Sequence, residues 1–384
     1  MRPFILFLIF ALLLCGCAAS RQETPITDTL PATAQTEVQT GVPATAPLPP
    51  PDPMQMLLEA MTVEEKVGQL FLARCPGAAA QDHIRDYALG GFILFGQDFQ
   101  GQTPQTLAQT LSGYQSCSPI PMLIAVDEEG GSVCRVSANP AFRSSRFPST
   151  RTAYSEGGME LVLTVETEKA ALLSSLGINV NMAPVCDIAA DPNAFLYDRS
   201  LGQGPEETGR FVSSAVTILN NYQLGSVLKH FPGYGNNADT HTGIVRDERS
   251  LEALEEWDLK PFAAGIAAGC DAILVSHTIV TALDDQLPAS LSPEVHAYLR
   301  QNMGFDGVIV TDDLVMQAIT DSYGAEEAAI LAVLAGNDLL CSTEYPLQYP
   351  AVLEAVKSGR ISMEQLDASV MRILEWKKDL GLIF

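Results

Sequence analysis

Positive charge is scarce in this chain. Lysine and arginine total 22 against 46 aspartates and glutamates, a formal net charge of -24. A surface so acidic repels polyphosphate and anionic headgroups, which excludes nucleic-acid binding and electrostatic adhesion to anionic lipid. Cysteines are present but never in a Cys-x-x-Cys pair. Beyond Cys15 and Cys17 they stand at 75, 117, 134, 186, 270 and 341, several of them inside apolar runs. That pattern points to buried free thiols rather than zinc or disulfides. No phosphate-binding glycine loop and no internal repeat is found, and histidine is limited to five residues. The apolar run from Phe4 to Leu14 is shorter than the roughly 20 residues of a membrane-spanning helix.

That run has another reading. It follows Arg2 and precedes small residues, the layout of an export signal over residues 1–17. Leu14-Cys15-Gly16-Cys17 resembles the bacterial lipobox, so Cys17 is expected to be acylated and to anchor an exported chain to the cell membrane at its extracytoplasmic face. A retained anchor helix is the competing reading, and the signal's shape fits cleavage better. Residues 18–53 are rich in Thr, Pro and Ala and include PLPPPDP. Such a segment cannot bury enough apolar surface to fold and reads as a disordered linker. Residues 54–384 remain, a length suited to a single α/β barrel domain.

Within that domain Thr62-Val63-Glu64-Glu65 forms a capping box ahead of a helix. Short apolar runs then recur at 68–73, 90–95, 121–127, 178–184, 225–230, 271–277, 307–313 and 337–342, with helical patterns such as 252–268 and 346–357 between them. Near-continuous apolar runs belong to parallel strands covered on both faces. The expected fold is therefore a (β/α)8 TIM-like barrel, ahead of a flavodoxin-like sheet, which accommodates eight strands less readily. A final helix from Ser362 to about Lys378 carries its apolar residues on one side and should pack outside. Polarity appears at the ends of the runs, at Asp127, Lys229-His230, His277 and Asp312-Asp313. Barrel active sites gather at the C-terminal ends of strands, where these residues would stand.

One loop stands out. Residues 229–243 read KHFPGYGNNADTHTG, with glycines, a proline and turn-forming Asn and Asp around Asp239-Thr240-His241. Turn chemistry alone would account for these residue types. Together with DEEGGSVCR (127–135), YDRSLG (197–202) and TDDLVM (311–316), however, the loop resembles the motifs of glycoside hydrolase family 3, in its β-N-acetylhexosaminidase branch. The likeness keeps the same order from about Met61 to the C-terminus.

The resemblance implies removal of terminal β-linked N-acetylglucosamine with net retention, from peptidoglycan fragments or related glycans. Asp312 matches the nucleophile. His241 matches an acid/base carried on a mobile loop and oriented by Asp239, in place of the second carboxyl group most glycosidases use. A histidine, with an ordinary pKa of ~6.5, can both give and take a proton near neutral pH. Asp127, Arg135, Arg199, Lys229 and His230 match sugar-binding groups. On residue type alone they could equally be rim ion pairs, with Asp198 beside Arg199. Asp313 should point elsewhere and serve as a cap or ion-pair partner, because successive strand residues alternate faces. Asp187 is expected to support the site from behind or at the rim. The mechanism requires no metal or organic cofactor, and no protein partner is implied.

The chain departs from the family pattern at Ser132, where Arg is common, and at Tyr234, where His is common. Thr240 replaces a Ser, and the loop before Asp239 is shorter by one residue. Three other activities compete. A phosphorylase would use the same residues with phosphate in place of water, which an uncharged histidine base does not repel. A broader family 3 β-glucosidase is disfavoured by the Asp239/His241 pair. A cell-wall sugar-binding lipoprotein without turnover would have no need of both nucleophile and loop acid.

Overall fold

The computed structural model describes residues 52–383. The expected signal segment, Cys17 and the expected linker as far as Pro51 lie outside the described residues. The first helix, Pro53–Ala60, starts where Asp52 accepts a hydrogen bond from the Met54 N–H, and Pro53 occupies the first turn, where a missing N–H costs nothing. The next, Val63–Gln69, opens with the expected capping box, Thr62 and Glu65 satisfying each other's backbone donors.

Eight strands follow one another as β1 (Phe71–Arg74), β2 (Gly91–Leu94), β3 (Leu123–Val126), β4 (Val180–Asn181), β5 (Gly225–Phe231), β6 (Ala272–Val275), β7 (Val308–Thr311) and β8 (Leu340–Ser342). All neighbours are parallel, in the order β7-β6-β5-β4-β3-β2-β1-β8. A bridge between Val310 and Leu339 joins the two ends and closes the barrel. Each strand falls within or beside an expected apolar run. Most of the runs extend beyond their strands: Gly68 and Gln69, for example, complete a helix.

Alternation along the strands explains the closure. Val227, Ala272, Leu274, Val308 and Val310 share one buried cluster with the other strands, whereas Leu228, Ile273, Val275 and Ile309 pack outward on Phe211, Val212, Phe262 and Val295 of the surrounding helices. Successive side chains point to opposite faces, so a strand covered on both sides must be apolar at every position. Each Leu, Ile or Val so buried contributes about 1.5–3 kcal/mol. The expected helix 252–268 is two, Leu251–Glu256 and Leu259–Ala267, because Trp257 leaves the helical path. The helix Met363–Asp379, capped by Ser362, packs on the outside through Leu366, Val370, Ile373 and Leu374. All six cysteines among the described residues are unpaired, and all but Cys117 are buried.

Candidate active site

The cavity at the C-terminal end of the barrel has a volume of about 730 Å³, within the usual range for small-molecule clefts. Asp127, Arg135, Arg199, Lys229, His230, His241 and Asp312 all line it. Asp239 supports His241 through its side chain. Its apolar floor includes Ile93, Met182, Leu274 and Cys341, and Arg74 stacks on Phe95 at one side, 4.2 Å from the ring centre.

The DEEGG motif builds one wall. Asp127 follows β3 directly. Glu128 turns the chain back by accepting hydrogen bonds from the N–H groups of Arg135 (2.9 Å), Val136 (2.8 Å) and Ser137 (3.2 Å). Glu128–Gly130 and Val133–Cys134 thereby pair as a short antiparallel ribbon that brings Arg135 to within 3.5 Å of Asp127. Gly130 has φ +108°, and a Cβ there would lie 2.2 Å from the Pro148 carbonyl, so the turn accepts only glycine.

Glu129 is the group that sequence reasoning missed. It is 5 % exposed, holds the Arg199 guanidinium through two bonds of 2.8 and 2.7 Å, and receives Lys229 Nζ at 2.6 Å. Burial alone would raise its pKa, but the charges of Arg199 and Lys229 outweigh burial and hold the carboxyl well below the usual carboxylate range. Arg199 is therefore paired with Glu129, and its sequence neighbour Asp198 is not its ion-pair partner. Charge arithmetic offers a signal: two cations close to a barrel mouth need more anions than Asp127 alone.

Lys229 and His230 come from the end of β5, where the register against β6 shifts between Leu228 and Phe231. The irregularity allows two consecutive residues to reach the same cavity. Lys229 Nζ also binds Asp127 at 2.7 Å. Burial would lower its pKa, and Asp127 and Glu129 raise it above the ordinary value instead. Asp187, fully buried, accepts from His230 N and Nδ1 with Oδ2 (2.9 and 2.8 Å) and from Tyr234 N with Oδ1 (2.8 Å). Arg199 can only donate, so its 3.2 Å contact with His230 Nε2 leaves Nδ1 as the ring's donor, to Asp187.

Asp312 follows β7 at the mouth. Burial pushes its carboxyl up, but at the acid pH where it titrates the charges of His277, His230 and His241, with the Asp313 N–H, pull it below its ordinary value. Asp313 does act as a cap. Its carboxylate accepts from Val315 N, Thr343 N and Thr343 Oγ1, at 3.2, 3.2 and 2.6 Å. His277, fully buried, lies beneath this turn and donates through Nε2 to the Asp313 carbonyl at 3.0 Å, while Nδ1 accepts from Ser290 Oγ at 2.7 Å.

Opposite these groups, Asp239 caps a single 3-10 turn, Thr240–Thr242. One of its oxygens accepts from His241 N at 2.9 Å and from Nδ1 at 2.6 Å. His241 is thus held by the aspartate two residues before it, with a side chain 58 % exposed. The cavity combines an ionised carboxylate, a carboxylate-supported imidazole and a network of paired cations and carboxylates. Nucleophilic attack with proton transfer at a polar, multiply hydroxylated substrate is within its chemistry.

Known proteins resemble this chain over most of its length. The family model described as "Glycosyl hydrolase family 3 N terminal domain" matches residues 62–376. The chain is 30% identical to beta-hexosaminidase LpqI of Mycobacterium tuberculosis over 98% of this chain and 97% of that protein. It is 32% identical to beta-hexosaminidase A of Pseudoalteromonas piscicida over 77% of this chain and 54% of the relative, so it spans about half that relative's length. The solved family 3 β-N-acetylglucosaminidase of Paenibacillus sp. str. FPU-7 shares the fold with a TM-score of 0.78 and 34% identity, over 84% of this chain and 63% of that one. With the family model covering most of its length, this chain belongs to glycosyl hydrolase family 3.

Proposed function

We propose that the chain is a retaining exo-β-N-acetylglucosaminidase that removes terminal β-linked GlcNAc from peptidoglycan fragments or related glycans. The observation that carries this reading is the single cavity uniting Asp312 with the Asp127–Lys229–Glu129–Arg199 network and with the Asp239-supported His241. Asp312, ionised below its ordinary value, attacks the anomeric carbon while His241 protonates the departing oxygen. A glycosyl ester on Asp312 results. His241 then takes a proton from water, whose oxygen bonds to the anomeric carbon as the ester bond breaks and Asp312 leaves as carboxylate. Asp127, Arg135, Arg199, Lys229 and His230 hold the sugar, and their mutual ion pairs fix them before it arrives.

The first test is nitrophenol release from an aryl N-acetyl-β-glucosaminide by a chain beginning near Asp52, with and without phosphate. Asp312→Asn should lose roughly 10³-fold or more in kcat, on the scale of nucleophile deletions. A sugar 1-phosphate product would reassign the activity to phosphorolysis. Folded protein inert in both buffers, on the aryl substrate and on muropeptides, would support a sugar-binding role without turnover.

An export signal and lipid attachment at Cys17 belong to the same reading, supported by the Leu14–Cys17 sequence. No helix among the described residues is long and apolar enough to cross a membrane. Intact-mass analysis of the mature chain should find a diacylglyceryl cysteine that Cys17→Ser abolishes, and an unmodified Cys17 would overturn this part.

A further inference from the structure

We propose that Tyr234 and Thr240 form a latch that fixes the Asp239–His241 pair at the cavity, which makes both of them positioning residues for the proton transfer assigned to His241. The inference rests on that assignment. Tyr234 is 1 % exposed and Thr240 is fully buried, and their hydroxyls bond to each other at 2.5 Å. The bond spans the loop from its entry to the residue between Asp239 and His241. These are two of the positions at which the chain departs from the family pattern, and the structure joins them as one pair.

The latch is anchored at its root. Tyr234 N donates to Asp187 Oδ1, on the same carboxylate that holds His230. The Tyr234 ring stands edge-on to His230 at 5.4 Å and 6.0 Å from Phe195, whose ring lies 6.0 Å from His241. One side chain therefore connects the sugar-binding floor to the loop that carries the acid. Midway, Asn236 Oδ1 accepts from Ala190 N and Asp191 N at 3.2 Å each. On the far side, the turn Thr240–Thr242 packs against the short helix Gln317–Thr320 that follows Asp312. His241 itself contributes little to holding the loop, because its side chain is more than half exposed.

Removing either hydroxyl leaves the other buried without this partner, and the loop must open for the survivor to reach water. A displacement of about 1 Å in a catalytic group costs on the order of 10²-fold in rate. The effect is specific to steps that need the proton. A sugar or alkyl alkoxide cannot leave until His241 protonates it, whereas a dinitrophenolate departs unassisted. Both routes form the same bond from Asp312 to the anomeric carbon and break the same glycosidic bond.

The test compares Tyr234→Phe, Thr240→Val, the double variant and His241→Ala on a GlcNAc disaccharide and on the dinitrophenyl glycoside, reading kcat/KM. Each single latch variant should lose about 30- to 100-fold on the disaccharide and less than about 3-fold on the dinitrophenyl substrate. The double variant should lose no more than either single. Thr240→Ser, which keeps the hydroxyl, should recover most of the activity lost in Thr240→Val. Equal losses on both substrates, additive losses in the double variant, or no loss would each overturn the latch. If His241→Ala shows the leaving-group dependence and the latch variants do not, the latch alone fails. If His241→Ala shows none, the acid/base assignment fails and takes the latch with it. Melting temperatures identify any variant that does not fold, in which case the Thr240→Val and Thr240→Ser comparison decides.

Discussion

Glu129 Oε1 lies 2.6 Å from Lys229 Nζ, and both groups are almost wholly withdrawn from water. Lys229 also binds Asp127, and Glu129 also binds Arg199, so this wall of the cavity is a chain of alternating charges rather than a set of independent side chains. Glu129→Gln would leave two cations short of a counter-charge in the barrel mouth. The expected loss of unfolding free energy is about 3–5 kcal/mol, the usual cost of breaking a buried pair from one side. Urea unfolding measures it, and Glu129→Asp, which keeps the charge, should lose less.

Acid should weaken the same wall. The folded-state pKa of Glu129 lies below its ordinary 4.5 and that of Asp312 below 3.8. A depressed carboxylate pKa means stability that is fully present above the unfolded value and lost as pH falls through the folded one. The urea midpoint should therefore hold at higher pH and decline progressively below about 4.5. In Glu129→Gln the decline should be shallower, and an unchanged slope would show that other groups govern acid unfolding.

Asp187 serves three donors, His230 N, His230 Nδ1 and Tyr234 N. Asp187→Ala strands all of them in the interior. We expect a loss of about 2–4 kcal/mol by thermal or urea unfolding, at 1–3 kcal/mol for an orphaned buried group with partial relaxation. Affinity for N-acetylglucosamine, read by calorimetry, should fall as well, because His230 loses the contact that orients its ring toward Arg199. Asp187→Asn keeps an acceptor and should be milder in both measurements.

Far from the cavity, Lys377 is wholly buried and, among the described residues, its ammonium donates only to Gln69 Oε1, at 2.6 Å. Burial lowers its pKa from 10.5 to about 7. Between those values the unfolded chain holds a proton that the folded chain has released, so stability should rise with pH across that interval. Lys377→Met should stabilise the fold by a few kcal/mol at pH 6, roughly 1.4 kcal/mol for each unit of pKa shift before relaxation, and much less at pH 10. A constant gain at both pH values would mean that packing, rather than the buried charge, governs the difference.

Much of the site is legible in the amino-acid sequence. Apolar runs that end in Asp127, Lys229-His230 and Asp312 place reactive groups at one end of a parallel barrel, because a strand buried on both faces tolerates polarity only where it emerges. Asp239 and His241 are two residues apart, and a local hydrogen bond over that separation is a property of the loop's own sequence. Glu129 is not legible in the same way. It adjoins Glu128, an acid of the same type with a different duty, and only the turn imposed by Gly130 sends one toward the backbone of residues 135–137 and the other toward Arg199. The partnership of Tyr234 with Thr240 is hidden too, since each on its own reads as a simple replacement.

Local rules determine the strands, the capped helices, the glycine turns and the Asp239–His241 contact, because those depend on alternation, dihedral preference and neighbours a few residues away. Tertiary structure decides which charges neutralise which. Lys229 meets Asp127 across a separation of 102 residues and Arg199 meets Glu129 across 70. Sequence alone cannot pair them, because ion pairing inside a barrel follows the order of strands around the ring and the direction in which each strand end releases its last side chains.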